Sequence, residues 1–280
     1  MKIKYLLAVV SILCIFVFGC SRYLDVPEGE WKLISSEHFN YHYQANSKLS
    51  PEDLSGAIER LEWFWDFAAG VWDYDSKKID YYYFLSREDV KKLTGRDMNA
   101  KAIVEKDIVL SIFASDTHEV SHLFTTPAGS SLDIANFWME GIAMYYTWPK
   151  LYYPPGEARL YAEPLGAWHG HSVHYWAKEL LAEGSLPDLE PLIYGNRHFD
   201  SLDANTGYPV AGSFVTYLLG RGHSDLGMVE KYMVFMDSAN KANSKEEAKL
   251  VFSDVFGKKF IQVERGWKEF LLDWQEESLY

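Results

Sequence analysis

Three side chains constrain this chain more than any other feature: His118 and His122 stand four residues apart, and Glu140 follows in a second apolar-patterned run. On an α-helix, residues four apart are separated by about 6 Å along the axis and about 40° around it, so both imidazoles leave one face and can share a cation. Glu119 lies about 100° round from His118, off the plane of a shared ligand set yet within reach of a water held there. It is placed as a base. The run Trp138-Met139-Glu140-Gly141-Ile142-Ala143 is amphipathic and stops before Pro149. A second helix there can carry its carboxylate back over the imidazole pair, which obliges the fold to bring two helices together at short range. Two neutral imidazoles and one carboxylate leave zinc a fourth position open for water, the ligand set of a hydrolytic site and not of a closed structural one.

A competing reading starts two residues before His118. Asp116-Thr117-His118-Glu119 fits a capping box, in which Asp116 caps the helix and Glu119 bonds back to the cap amide. That arrangement would occupy the carboxylate. Ser111 and Ser115 are alternative helix starts.

His118-Glu119-x-x-His122 together with Trp138-x-Glu140-Gly141-x-Ala143 resembles the gluzincin metallopeptidases, most closely their short bacterial peptidase MA-like members, from about Trp31 to the end. The resemblance implies an α+β, thermolysin-like catalytic domain over residues 31–280. A small N-terminal sheet half carries the metal helix there, and a larger all-α C-terminal half closes over it. It implies that His118, His122 and Glu140 hold Zn2+, that Glu119 is the general base, and that the substrate is a peptide or protein. Tyr208-Pro209-Val210-Ala211-Gly212 is similar to the place where zinc aminopeptidases carry a Tyr before a Gly-containing helix. Tyr208 is then expected to donate its phenol hydrogen to the oxyanion of the attacked carbonyl, with Tyr145 and Tyr146 as competitors for the part. Aminopeptidases of this group hold a free amine with a Gly-x-Met-Glu-Asn segment; Gly95-Arg96-Asp97-Met98-Asn99 resembles it but lacks the Glu, which favours an endopeptidase. In gluzincins, a strand just before the metal helix lies along the cleft, where a peptide can add to its free edge.

The N-terminus reads Lys2, Lys4, an apolar run from Tyr5 to Phe18, then Gly19-Cys20. A short basic region and an apolar stretch of about 14 residues are an export signal, too short for a comfortable membrane span. Gly19-Cys20 resembles a bacterial lipoprotein cleavage site, which implies a signal over 1–19, lipid on Cys20 and a protein anchored in the cell envelope. The bulk of Phe18 keeps a retained anchor helix as the alternative. With Cys14 removed and Cys20 lipidated, the mature domain has no thiol for a disulfide or a zinc ligand. The formal charge of −13 becomes more negative still without Lys2 and Lys4, so nucleic acid is not an expected partner. Residues 20–30, with Pro27 and Gly29, read as a tether.

Along the domain, Trp31 to Gln44 alternates as one half-buried strand, with Phe39, Tyr41 and Tyr43 on one side. Ser50-Pro51-Glu52-Asp53 opens a helix through Ala68. Ile79 to Leu85 reads as a second strand and Ser86 to Leu93, closed by Gly95, as a brief helix. Ile103-Val104 and Ile108 to Ile112 predict a hairpin or edge strand before the metal helix. Helices are expected over 172–183, 208–220, 226–236, 245–256 and 260–277, the last with a broad apolar face formed by Val263, Trp267, Phe270, Leu271 and Trp274. His169, His171 and His174 form a second cluster with no carboxylate at ligand-like spacing, so they are expected to be ordinary histidines. Asp133 and Asn136 are candidates to orient the ligand imidazoles. A lipoprotein that binds a glycan or partner through its aromatic surface is the alternative from another class, and it leaves Glu119 without a reason to be Glu.

Overall fold

The computed structural model describes residues 30–72, 74, 78–126, 136–147, 166–169, 171–194, 196–220, 226–242 and 244–275. The expected signal, Cys20, nearly all of the tether and Asp133 lie outside the described residues. Among the described residues, no helix is long and apolar enough to cross a membrane.

The alternating run from Trp31 to Gln44 is two strands and not one. β1 (Trp31–Ser35) and β2 (Phe39–Gln44) pair antiparallel, with Ser35 opposite Asn40. Ser36 makes the reversal: its amide and hydroxyl both donate to the Phe39 carbonyl, at 2.9 and 3.3 Å. This turn contains neither Gly nor Pro, the residues that usually punctuate a strand pattern, and so leaves no local mark. Helix α1 (Pro51–Ala68) starts where its cap requires, with the Ser50 hydroxyl accepting from the Asp53 amide and the Asp53 carboxylate accepting from the Ser50 amide. Leu54, Ile58, Leu61, Phe64 and Trp65 then recur at helical spacing on its buried side.

β3 (Ile79–Tyr83) runs parallel to β2, and α2 (Arg87–Thr94) ends on Gly95, whose φ of 72° lies in the left-handed region. β4 (Ala100–Ile103), a 3-10 turn (Val104–Lys106) and β5 (Ile108–Ser111) complete a five-stranded sheet of order β1-β2-β3-β5-β4. The three central strands are parallel, and each edge strand is antiparallel to its neighbour. Phe39, Tyr41, Ile79, Tyr81 and Val109 are fully buried in the core that α1 covers.

Two tyrosines of this inner face hold the approach to the next helix. The Tyr41 hydroxyl donates to the Ala114 carbonyl and the Tyr81 hydroxyl to that of Phe113, each at 2.7 Å, while the two rings stack 5.2 Å apart. Arg60 of α1 adds a bond from Nε to the Ser115 hydroxyl at 3.0 Å. The segment entering α3 (Thr117–Thr125) is therefore fixed from the sheet and from α1.

The remainder is helical: α4 (Asn136–Tyr145), α5 (Val173–Ala182), the short α6 (Leu189–Ile193) and α7 (Asn196–Phe199), α8 (Ala204–Leu219), α9 (Leu226–Ala239), α10 (Lys245–Phe256) and α11 (Phe260–Asp273). A two-stranded hairpin, β6 (Ala167–Trp168) and β7 (His171–Ser172), precedes α5. The helix expected from Tyr208 begins at Ala204, because the Asp203 carboxylate accepts from the Asn205 amide at 3.0 Å and caps it there. Pro209 thus lies inside the helix, and not at its start. α4 and α8 cross closely: a Cβ on Gly141 would come within 2.5 Å of Val215 and 2.9 Å of the Ala211 carbonyl, and one on Gly212 within 2.6 Å of Met144. The architecture is α+β, with the sheet at the N-terminal end and the helices following.

Candidate metal centre

α3 is short, and its cap decides which way its side chains face. Asp116 is buried; one carboxylate oxygen accepts from the Glu119 amide at 3.3 Å and the other from the Ser111 hydroxyl at 2.8 Å. Half of the expected capping box is present. The other half is not: the Glu119 carboxylate accepts from the amide of Ala102 in β4, at 2.6 Å. One of its oxygens is thereby held by the neighbouring strand, with the helix cap left to Asp116.

From this helix the two imidazoles project together, ring centres 5.0 Å apart, toward α4. Glu140 Oε2 lies 3.1 Å from His118 Nε2 and 3.6 Å from His122 Nε2. One ligating atom from each of the three residues lies within 4.8 Å of the others, a convergence that can hold a metal ion. The side chains are only 16, 12 and 22 % exposed, so the group is sheltered while remaining open to a cleft.

A further contact suits the imidazole tautomer that a bound cation would need. The Thr147 hydroxyl donates to the Ala143 carbonyl at 2.9 Å, which leaves its oxygen to accept from His118 Nδ1 at 3.0 Å. With the proton on Nδ1, the Nε2 lone pair of His118 faces Glu140, the orientation that a metal requires. Thr147 was not among the expected partners. It lies seven positions after Glu140, in the turn that closes α4, and continuing the helical period brings it round to nearly the side of Glu140, which is the signal that would have found it. Of the two expected partners, Asn136 donates to Asp200 at 2.6 Å and Asp133 lies outside the described residues. His122 Nδ1 is buried with no hydrogen-bond partner among the described residues.

The electrostatics suit the same ligand set. Burial opposes charge on both His122 and Glu140, but their mutual attraction outweighs it: the imidazole is pushed up to about 9 and the carboxyl held well below its ordinary value. A buried imidazole that takes up a proton to face a carboxylate is a place where a cation can substitute for that proton. Burial pushes the Glu119 carboxyl up, the direction that makes a carboxylate a better base. The donor set of two imidazoles and a carboxylate fits zinc.

Tyr208 reaches this site from α8. Its ring lies 6.0 Å from that of His118 and stacks on Trp168 at 5.3 Å. The charge of Glu140, and then burial, push its phenol up, so it stays a hydrogen-bond donor. Tyr145 and Tyr146 are buried in the core, where the Tyr146 hydroxyl accepts from Trp72, and only Tyr208 of the three lines the cleft. The second histidine cluster disperses. His169 bonds to Asn205 at 3.2 Å, His171 stacks on Tyr175, and His174 is buried against the Ser213 hydroxyl at 2.8 Å.

The cleft has a volume of about 1780 Å³, and β4 forms one of its walls. Asp97, in the segment Gly95–Asn99, is paired with Arg87 Nε at 2.7 Å. Compared with known proteins, the chain matches no family model, no curated protein and no solved structure. The site is a His118/His122/Glu140 triad able to bind a metal, within an α+β fold.

Proposed function

We propose that this protein is a zinc-dependent peptidase of the gluzincin type, with an endopeptidase specificity. The observation that carries this reading is the convergence of His118, His122 and Glu140 with the Glu119 carboxylate on the same helical turn. His118, His122 and Glu140 would hold the ion, which when bound would polarise a substrate carbonyl and make a water acidic enough to ionise near neutral pH. Glu119 takes a proton from the attacking water and returns it to the departing amine. The Tyr208 phenol donates to the oxygen on which negative charge develops.

Three features support a peptide substrate cut away from its end. The cleft exceeds the roughly 300–1,000 Å³ of small-molecule pockets. Along one wall runs an edge strand, to which an extended chain can add. The segment Gly95–Asn99 lacks the Glu with which aminopeptidases of this type hold a free amine, and its Asp97 is paired at the surface with Arg87. An export signal over residues 1–19 and a lipid on Cys20 would hold this activity at the membrane. Mass spectrometry of the purified protein is then expected to find a chain that begins at Cys20 and carries acyl groups, and an unmodified Cys20 would count against lipid anchoring.

Elemental analysis followed by casein digestion, with and without a chelator, tests the central reading. Glu119→Gln is expected to keep bound zinc and lose hydrolysis by about 10²–10⁴-fold. Equal activity in variant and parent removes Glu119 as the base, while zinc held without any cleavage leaves a binding module in place of an enzyme.

A further inference from the structure

The base is held from both ends, and by different elements. Asp116 of the helix cap accepts from the Glu119 backbone amide, while the Ala102 amide of β4 donates to Glu119 Oε2 at 2.6 Å. A backbone N–H to a carboxylate is a charge-assisted bond, shorter and stronger than a neutral one. The terminal torsion of a glutamate is otherwise soft, so fixing one oxygen settles where the other points.

The register of β4 shows why Ala102 is free to do this. Ala102 stands opposite Val109, and the Ile112 amide donates to the Asn99 carbonyl at 3.0 Å, so Asn99 turns its backbone groups toward β5. Groups alternate along an antiparallel strand; those of Lys101 and Ile103 therefore also face β5, and those of Ala100 and Ala102 face outward along the free edge. That edge lines the cleft. A peptide adding to β4 would ordinarily take every outward donor, yet this one is already engaged.

We propose that Ala102, through its backbone N–H, is a positioning residue for Glu119 and is not a substrate-binding donor. The outward groups left for a bound peptide are then the Ala100 N–H and C=O and the Ala102 C=O. This division of labour along one strand edge rests on the peptidase reading for its catalytic meaning, though the anchoring of Glu119 stands apart from it.

Ala102→Pro tests the assignment, because proline removes only an amide that points away from the ladder and edge strands accept it there. In the zinc-loaded protein, kcat is expected to fall about 10–100-fold with KM within about two-fold and zinc content unchanged. Ala102→Gly, the conservative variant that keeps the N–H, should recover most of kcat. A raised KM with kcat preserved overturns the proposal, since the amide would then be binding substrate. Hydrogen exchange at the Ala102 amide decides the matter without any turnover. Slow exchange in the parent and fast exchange in Glu119→Ala support the bond, and equal rates in the two overturn it even if Ala102→Pro fails to fold. Slow exchange in a parent that cleaves nothing would keep Ala102 as the anchor of Glu119 and end the peptidase reading alone.

Discussion

At the scale of single residues, the site depends on small groups that fix larger ones. Thr147 contributes one oxygen, but once a cation occupies the Nε2 side of His118 that oxygen is the acceptor for the proton on Nδ1. Replacing Thr147 with Val keeps the shape and removes the acceptor. Zinc affinity is expected to fall about 10–100-fold, measured by competition with a chromogenic chelator, and Thr147→Ser should retain most of it. An unchanged affinity in the Val variant would show that the tautomer is set by other means. Trp168 plays a comparable part for Tyr208: its indole ring lies against the phenol ring, and its N–H donates to Asn205 one turn earlier on the same helix. The phenol is thus held by a hairpin that has no ligand of its own.

At the scale of elements, the crossing of α4 and α8 brings Glu140 and Tyr208 to the same cleft, and Gly141 and Gly212 are what permit it. A methyl group at Gly141 meets the Ala211 backbone carbonyl, which cannot swing aside as a side chain can. Gly141→Ala is expected to cost about 1–3 kcal/mol, read as a lowered denaturation midpoint at unchanged m-value. A variant as stable as the parent would mean that the two helices can separate without penalty. Sequence reasoning reached the long elements where they carry their own start or stop: Ser50 and Asp53 open α1, and Ser86 opens and Gly95 closes α2. It missed the β1–β2 turn, and it missed α6, α7 and the β6–β7 hairpin, which are too short to show a period. Within the site, the imidazole pair and Glu140 were legible since a four-residue spacing has one helical meaning. Thr147 was not, because it lies past the end of α4, where the helical period no longer marks a side chain as facing α3. Ala102 could not be, since a backbone amide has no signature in the side chains.

At the scale of the whole molecule, the ligands come from both parts of the fold. α3 is fastened to the sheet through Tyr41, Tyr81 and Arg60, whereas α4 is packed among the helices that follow. In the metal-free protein the contacts that join the two include the His122–Glu140 pair, and each of its partners has a sign. The His122 imidazole is raised from 6.5 to about 9 in the folded state, so its contribution is complete below about pH 6.5 and lost as the pH climbs to 9. The Glu140 carboxyl is lowered from 4.5, so its contribution is present above about pH 4.5 and lost as the pH falls further. Chelated protein should therefore show a declining Tm from about pH 6.5 to 9, while zinc-loaded protein, whose ligands need no proton, should hold its Tm across that interval. A flat profile after chelation would mean that this pair does not couple the two parts. Thr147 gives the arrangement a mechanical sense as well, because α4 bears the anionic ligand and the turn that closes it bears the hydroxyl that meets a histidine of α3. Any rigid displacement of that helix would withdraw both at once, so the jaws of this molecule should part and surrender their ion in a single cooperative act, with no half-open state that keeps its grip.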